Sequence, residues 1–267
     1  MKIESHQLEI NGVNIAFQAV GRGPAVVCLH ATGHDSGDFL PFFDKVKDQY
    51  RILALDWPEH GRSGPDDRPV SASRYANLAE KLLDGVKIKN AIVIGNSIGG
   101  AAAISLAAAR PDQVKALVLS SPGGLEPPTA FARIAVKMMI RFFKAGEARR
   151  FWFGRAFSIY YRMVLPAAPF RRAEITANWP QTISVIRSAW ESFILPDFDN
   201  RERIKRVACP IWFAWAKQDN IVAYRRSKKT IELLPNATVS LFKGGHSPFL
   251  EDPDAFTRGF LAFANNL

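Results

Sequence analysis

The sequence predicts an α/β protein: a mostly parallel sheet flanked by helices, with a helical cap inserted between two of its strands. Three observations predict it. Short apolar runs recur along the chain, helical stretches lie between them, and the alternation then fails over one long block.

Residues 7–20 (QLEINGVNIAFQAV) read as two short strands around Asn11-Gly12, a dipeptide suited to the positive-φ positions of a tight hairpin. Apolar runs follow at 25–29, 52–55, 91–94, 116–119, 211–215 and 238–242, bounded by Gly, Pro and polar clusters. Runs this short and apolar on both faces suit parallel strands covered by helices on both sides. Helical patterning occupies 75–84, 97–109 (stopping before Pro111), 224–234, and 256–263 after Pro253. The block from about 123 to 199 follows Ser121-Pro122-Gly123-Gly124 and has helical periodicity, aromatics and arginines but no strand run. The expected division is a core of residues 1–122 and 199–267 and a cap of residues 123–198. Such a cap lies over the C-terminal edge of the sheet, where open α/β folds place their ligands.

Composition excludes several classes. The chain has 267 residues, 48% of them hydrophobic and 22% charged, which suits a buried core and not a disordered chain. Cys28 and Cys209 fall in strand-like stretches without the paired spacing of a metal or redox motif, so no metal and no cofactor is expected. Two free thiols suit a reducing compartment. No apolar run approaches the roughly 18 residues that span a bilayer, and the first six residues lack a signal-peptide run. A cytoplasmic protein is the expectation. A net charge of +10 would point to nucleic acid if it were spread over a recognition surface. Residues 131–190, however, hold 11 Lys and Arg against Glu147 and Glu174, which is +9 of the +10. The excess belongs to the cap, and nucleic acid is not the expected partner.

The sharpest chemical signal is Gly95-Asn96-Ser97-Ile98-Gly99-Gly100, between the strand run 91–94 and an alanine-rich helix. Gly-x-Ser-x-Gly at a strand-to-helix junction is a nucleophile elbow. The turn strains Ser97, and close packing demands small neighbours two residues before and after it. Ser97 then stands at a helix N-terminus, where amides and dipole favour negative charge. A serine nucleophile needs a base and an orienting acid. His246, in a loop after the last strand run, is the candidate base, and Asp219, just beyond the run 211–215, the candidate acid. His6 is terminal, while His30, His34 and His60 sit in loops with structural roles. Asp252 and Asp254 fit the start of the last helix. The oxyanion hole needs two N–H groups: Ile98 follows the nucleophile, and Thr32 lies in the loop Leu29-His30-Ala31-Thr32-Gly33. Asp56 and Arg62 fix a tight turn.

The order Ser97, Asp219, His246, together with His30-Ala31-Thr32-Gly33 and the Asp56–Ser63 block, resembles the α/β-hydrolase-fold serine hydrolases along nearly the whole chain. The resemblance implies the α/β-hydrolase fold, with those three residues at the catalytic positions. Two departures stand out: Ala31 replaces the first glycine of the oxyanion loop, and Glu59-His60 replaces the usual Gly-His. Serine at the elbow separates the chain from haloalkane dehalogenases and epoxide hydrolases. Gly-Asn-Ser-x-Gly-Gly and Ser121-Pro122-Gly123-Gly124-Leu125 are similar to the meta-cleavage-product hydrolases, which split carbon–carbon bonds in dienoates. That likeness implies a cap arginine for a substrate carboxylate, Arg171 or Arg172. Asn96 and Met138 are further candidates for substrate contact. Ser247 departs from the aromatic commonly found after the catalytic histidine.

The expected activity is therefore hydrolysis of a carboxylic ester with an apolar acyl or aryl group through an acyl-enzyme on Ser97. The alternative is carbon–carbon hydrolysis of a dienoate; a non-hydrolytic ligand-binding protein on the same scaffold is a third reading. In the cap, Arg133, Lys137, Arg141 and Lys144 make one helical stripe among Phe131, Ile134, Met138, Met139, Phe142 and Phe143. Such a helix either touches an anionic membrane surface or, as expected here, turns its apolar face to the active site and its charges to water.

Overall fold

The computed structural model describes residues 2–267. Its centre is one eight-stranded sheet of β1 (Glu4–Ile10), β2 (Val13–Val20), β3 (Ala25–Leu29), β4 (Arg51–Leu55), β5 (Ala91–Asn96), β6 (Val114–Ser120), β7 (Ile211–Ala216) and β8 (Ala237–Phe242). The spatial order is β1-β2-β4-β3-β5-β6-β7-β8. β1 and β2 form an antiparallel hairpin whose turn residues, Asn11 and Gly12, both have positive φ. β2 also runs antiparallel to β4, while β4, β3, β5, β6, β7 and β8 are mutually parallel.

The central strands read as unbroken apolar runs because both faces are covered. Val27, Leu29, Leu53 and Leu55 enter one core with α2 (Ala72–Gly85) and α3 (Ile98–Ala109). Their neighbours Val26, Cys28, Ile52 and Ala54 enter a second core with α1 (Leu40–Val46) and the last helix. The strand period of two thus divides each run between two cores.

Four helices, α4 (Ala130–Glu147), α5 (Phe153–Val164), α6 (Pro169–Ala177) and α7 (Trp179–Ser192), stand between β6 and β7. They enclose a third core containing Phe143, Phe153, Phe157, Tyr161 and Trp190. The chain then adds α8 (Tyr224–Ile231), the single turn α9 (Pro248–Glu251) and α10 (Pro253–Ala264). Asp252 caps α10 by accepting the Ala255 amide at 3.2 Å.

Three local expectations change. The run 238–242 is an edge strand with Val239 and Leu241 exposed, not a strand covered on both faces. Cys209 precedes β7 instead of lying in it. The segment containing α1 carries no helical prediction, yet Phe39, Phe42, Phe43 and Val46 bury a helical stripe there, too short for periodicity to declare.

Candidate active site

Thr32, Ser97, Asp219 and His246 follow β3, β5, β7 and β8 respectively, so parallel strand direction brings all four to the C-terminal edge of the sheet. Ser97 has φ 55° and ψ −118°, a sparsely populated conformation for a residue with a Cβ. The flanking glycines are sterically required. A Cβ on Gly95 would come within 2.6 Å of the Gly99 carbonyl oxygen, and one on Gly99 within 2.3 Å of that of Leu29. The elbow is held on both sides: Ser97 N–H donates to Ser120 O at 3.1 Å, and Gly123 N–H donates to Ser97 O at 3.0 Å.

His246 Nδ1 donates to Asp219 Oδ2 at 2.7 Å, and both side chains are buried. Asp219 is fixed in turn, its Oδ1 accepting the Ile221 and Val222 amides, each at 2.8 Å. Burial by itself lowers the His246 pKa, but the charge and hydrogen bond of Asp219 outweigh it and hold the imidazole above its ordinary value. Nε2 is left as the nitrogen without a protein partner. The His246 loop is clasped by Glu251, whose Oε2 accepts the amides of Gly245, His246 and Ser247 at 2.8, 3.0 and 3.2 Å. Glu251 has no motif to announce it in the sequence.

Ser97 and His246 line one cavity of about 310 Å³, walled largely by the helical insertion. They make no hydrogen bond to each other. Thr32 and Ala31 line the same cavity. Gly99 packs closely against the Leu29 and His30 carbonyls at the start of the Thr32 loop. A serine, a histidine with a free Nε2 and a helix N-terminus in one cavity can support attack on a carbonyl carbon and stabilise the resulting alkoxide.

The expected substrate contacts are not brought there. Asn96 is fully buried outside the cavity lining, with Nδ2 donating to Ser120 O at 2.9 Å and His246 O at 3.1 Å. It is a positioning residue. Arg171 is committed to Asp35 and Asp38, each at 2.6 Å, and to Glu174 at 3.0 Å. Arg172 donates to the main-chain oxygens of Leu165 and Pro166. Met138 is 65% exposed and faces away from the cavity. Ion pairs and chain reversal between helices decide these placements, and neither is visible as a motif.

Other residues take their places. Tyr160, Tyr161 and Trp190 line the cavity, as does Arg133. His34 lines it too, with Nδ1 donating to Asp38 Oδ2 at 2.5 Å, so its role is not confined to the loop. Burial would raise the Asp38 pKa, but His34 and Arg171 together hold it below the ordinary carboxylate range. His30 and His60 are scaffold. His30 accepts the Trp57 amide and His60 the Gly33 amide, each at 2.9 Å, and burial lowers their pKa values to about 4 and about 3. Asp56 ties the turn by accepting the Ser36 and Arg62 amides. Glu59, where glycine is usual, takes φ 62°.

Residues 26–258 match the model of the Alpha/beta hydrolase family. The chain belongs to the alpha/beta hydrolase family. Among relatives in this family, it is 24% identical over 259 residues to the putative carbamate hydrolase RutD of Azorhizobium caulinodans, covering 95% of this chain and 96% of that one. It is also 24% identical over 269 residues to a 2-hydroxy-6-oxononadienedioate/2-hydroxy-6-oxononatrienedioate hydrolase of Comamonas testosteroni, covering 96% and 93%. A putative lipase from Acinetobacter baumannii AYE superposes with TM-score 0.85 at 16% identity, over 99% of this chain and 91% of that one. The fold of this hydrolase is thus shared with a protein of very different sequence.

Proposed function

We propose that this hydrolase cleaves a carboxylic ester with an apolar acyl or aryl group through an acyl-enzyme on Ser97. The observation that carries the reading is the His246–Asp219 pair at 2.7 Å opening into the same cavity as a strained Ser97. His246 Nε2 takes the Ser97 proton as Oγ attacks the carbonyl carbon. Asp219 holds the imidazolium, and the Thr32 and Ile98 amides receive the oxyanion. His246 returns the proton to the departing alcohol, and water, activated by the same nitrogen, releases the acid. Apolar acyl or aryl groups fit a wall containing Val136, Tyr160, Tyr161, Trp190 and Phe193. The residues 123–198 act as the cap in this reading, and the free thiols Cys28 and Cys209 suit a cytoplasmic enzyme.

The second reading, carbon–carbon cleavage of a dienoate, draws on the elbow sequence and on Arg133, which lines the cavity. The deciding experiment is a panel of p-nitrophenyl esters of graded chain length beside a carbamate and a dienoate, with a fluorophosphonate probe for Ser97. Ester turnover with Ser97 labelled is expected. Strong dienoate turnover with feeble esterase activity would reverse the order, and an unlabelled Ser97 would remove both.

A further inference from the structure

α4 carries apolar side chains on two opposite sides. Val136, Ile140 and Phe143 face inward: Val136 lines the cavity, and Ile140 and Phe143 lie in the third core. At about 100° per residue, Phe131, Ile134 and Met138 form a second stripe on roughly the other side of the helix. They are 76%, 57% and 65% exposed. The inward stripe thus reaches the cavity only at Val136, and the second stripe faces away from it. An outward stripe of large apolar residues next to a cavity wall marks an interaction surface.

Charge says what kind. Lys137 and Arg141 run beside the outward stripe, and neither has an acidic partner within ion-pair distance among the described residues. Lys144 continues the row and approaches only Glu191, at 3.9 Å. Exposed apolar side chains flanked by cations without close acidic partners match the boundary of an anionic bilayer, where acyl chains meet phosphate. A protein partner of opposite charge would need no apolar stripe this continuous, and nucleic acid would need none.

We propose that the outer face of α4 docks this hydrolase on anionic phospholipid membranes, with Phe131, Ile134 and Met138 entering the headgroup boundary and Lys137, Arg141 and Lys144 meeting phosphates. The second half of the helix is anchored, Phe143 packing against Trp190 with ring centres 5.6 Å apart, so docking needs no refolding. One helix diameter, about 10 Å, then separates the lipid from the cavity wall formed by Ala132, Arg133 and Val136. An apolar substrate dissolved in the membrane reaches the cavity without crossing much water.

The docking is independent of the ester reading, since binding can be measured without turnover. The test is vesicle flotation of the full-length Ser97→Ala protein, which leaves the lipid intact. Vesicles of phosphatidylcholine alone are compared with vesicles containing about 30% phosphatidylglycerol, at low salt and at about 0.5 M salt. Two triple variants accompany it: Phe131→Ser/Ile134→Ser/Met138→Ser and Lys137→Gln/Arg141→Gln/Lys144→Gln, with thermal midpoints as the control for folding. Arg133 is left in place because it lines the cavity. Binding to the anionic vesicles is expected, weakened at least about tenfold by either variant and by salt. Absence of binding to anionic vesicles overturns the proposal, as does equal binding by folded variants. A concentration-dependent dimer that the serine variant abolishes, without vesicle binding, assigns the stripe to a second copy and overturns it too.

Discussion

Asn96 Nδ2 donates to the main-chain oxygen of His246 at 3.1 Å, a hydrogen bond across 150 residues of sequence. It ties the strand that presents Ser97 to the loop that presents the histidine. Ser247 Oγ returns the tie by donating to Asn96 Oδ1 at 3.1 Å. Because all of these groups are buried, removing the amide leaves two carbonyls and a hydroxyl short of a partner. Asn96→Ala is therefore expected to cost about 2–3 kcal/mol in urea unfolding and to lower kcat more than it raises KM. A change confined to KM would mark Asn96 as a substrate contact after all.

Ser97 stores backbone strain at φ 55°. Ser97→Ala should lose more than about a thousandfold in kcat with an unchanged thermal midpoint, since alanine is strained equally. Ser97→Gly should be as inactive yet more stable by about 1 kcal/mol, because glycine adopts positive φ freely. Paired activity and calorimetry on both variants checks this.

Asp219 raises the pKa of His246, and a histidine in the proposed role of base works only when neutral. The acid limb of kcat/KM should therefore lie above the ordinary histidine range, with activity falling as pH drops through it. Asp219→Asn should lower kcat by about 10⁴ and move the remaining acid limb to lower pH. A limb that stays in place would identify another group as the one that titrates.

His30 and His60, with folded pKa values of about 4 and about 3, stay neutral where the unfolded chain protonates near 6.5. Between those values the unfolded state binds more protons, so stability should fall as pH is lowered from about 6.5 toward 4. His246 acts in the opposite sense: its raised pKa favours the fold below the unfolded value, and that contribution is lost as pH rises. Urea midpoints across pH 4–8 should show the acid loss dominating, and His60→Gln should flatten it.

Arg171 and Asp38 meet at 2.6 Å, with Asp38 fully buried. Arg171→Met should leave an undercompensated buried carboxylate and cost about 3–5 kcal/mol. Its kinetic effect should be alike on neutral and acidic esters. Loss confined to acidic substrates would restore the carboxylate-clamp role that the sequence alone invites.

The sequence by itself determined the central strands of the sheet and the turn that follows β5. Apolar runs such as 91–94 become parallel strands because they are short, β-branched and bounded by turn residues, and a strand covered on both faces is apolar at every position; Gly95, Ser97 and Gly99 encode their turn by local sterics. These are short-range effects, written in neighbouring residues. The tertiary structure decided what depends on residues far apart. His34 lines the cavity, Glu251 clasps the His246 loop, and Arg171 turns to Asp38 133 residues away instead of toward substrate. The helical period of α4 was equally legible, but a period does not say which side faces inward. That choice is made by what packs against the helix, and it leaves Phe131, Ile134 and Met138 in the open.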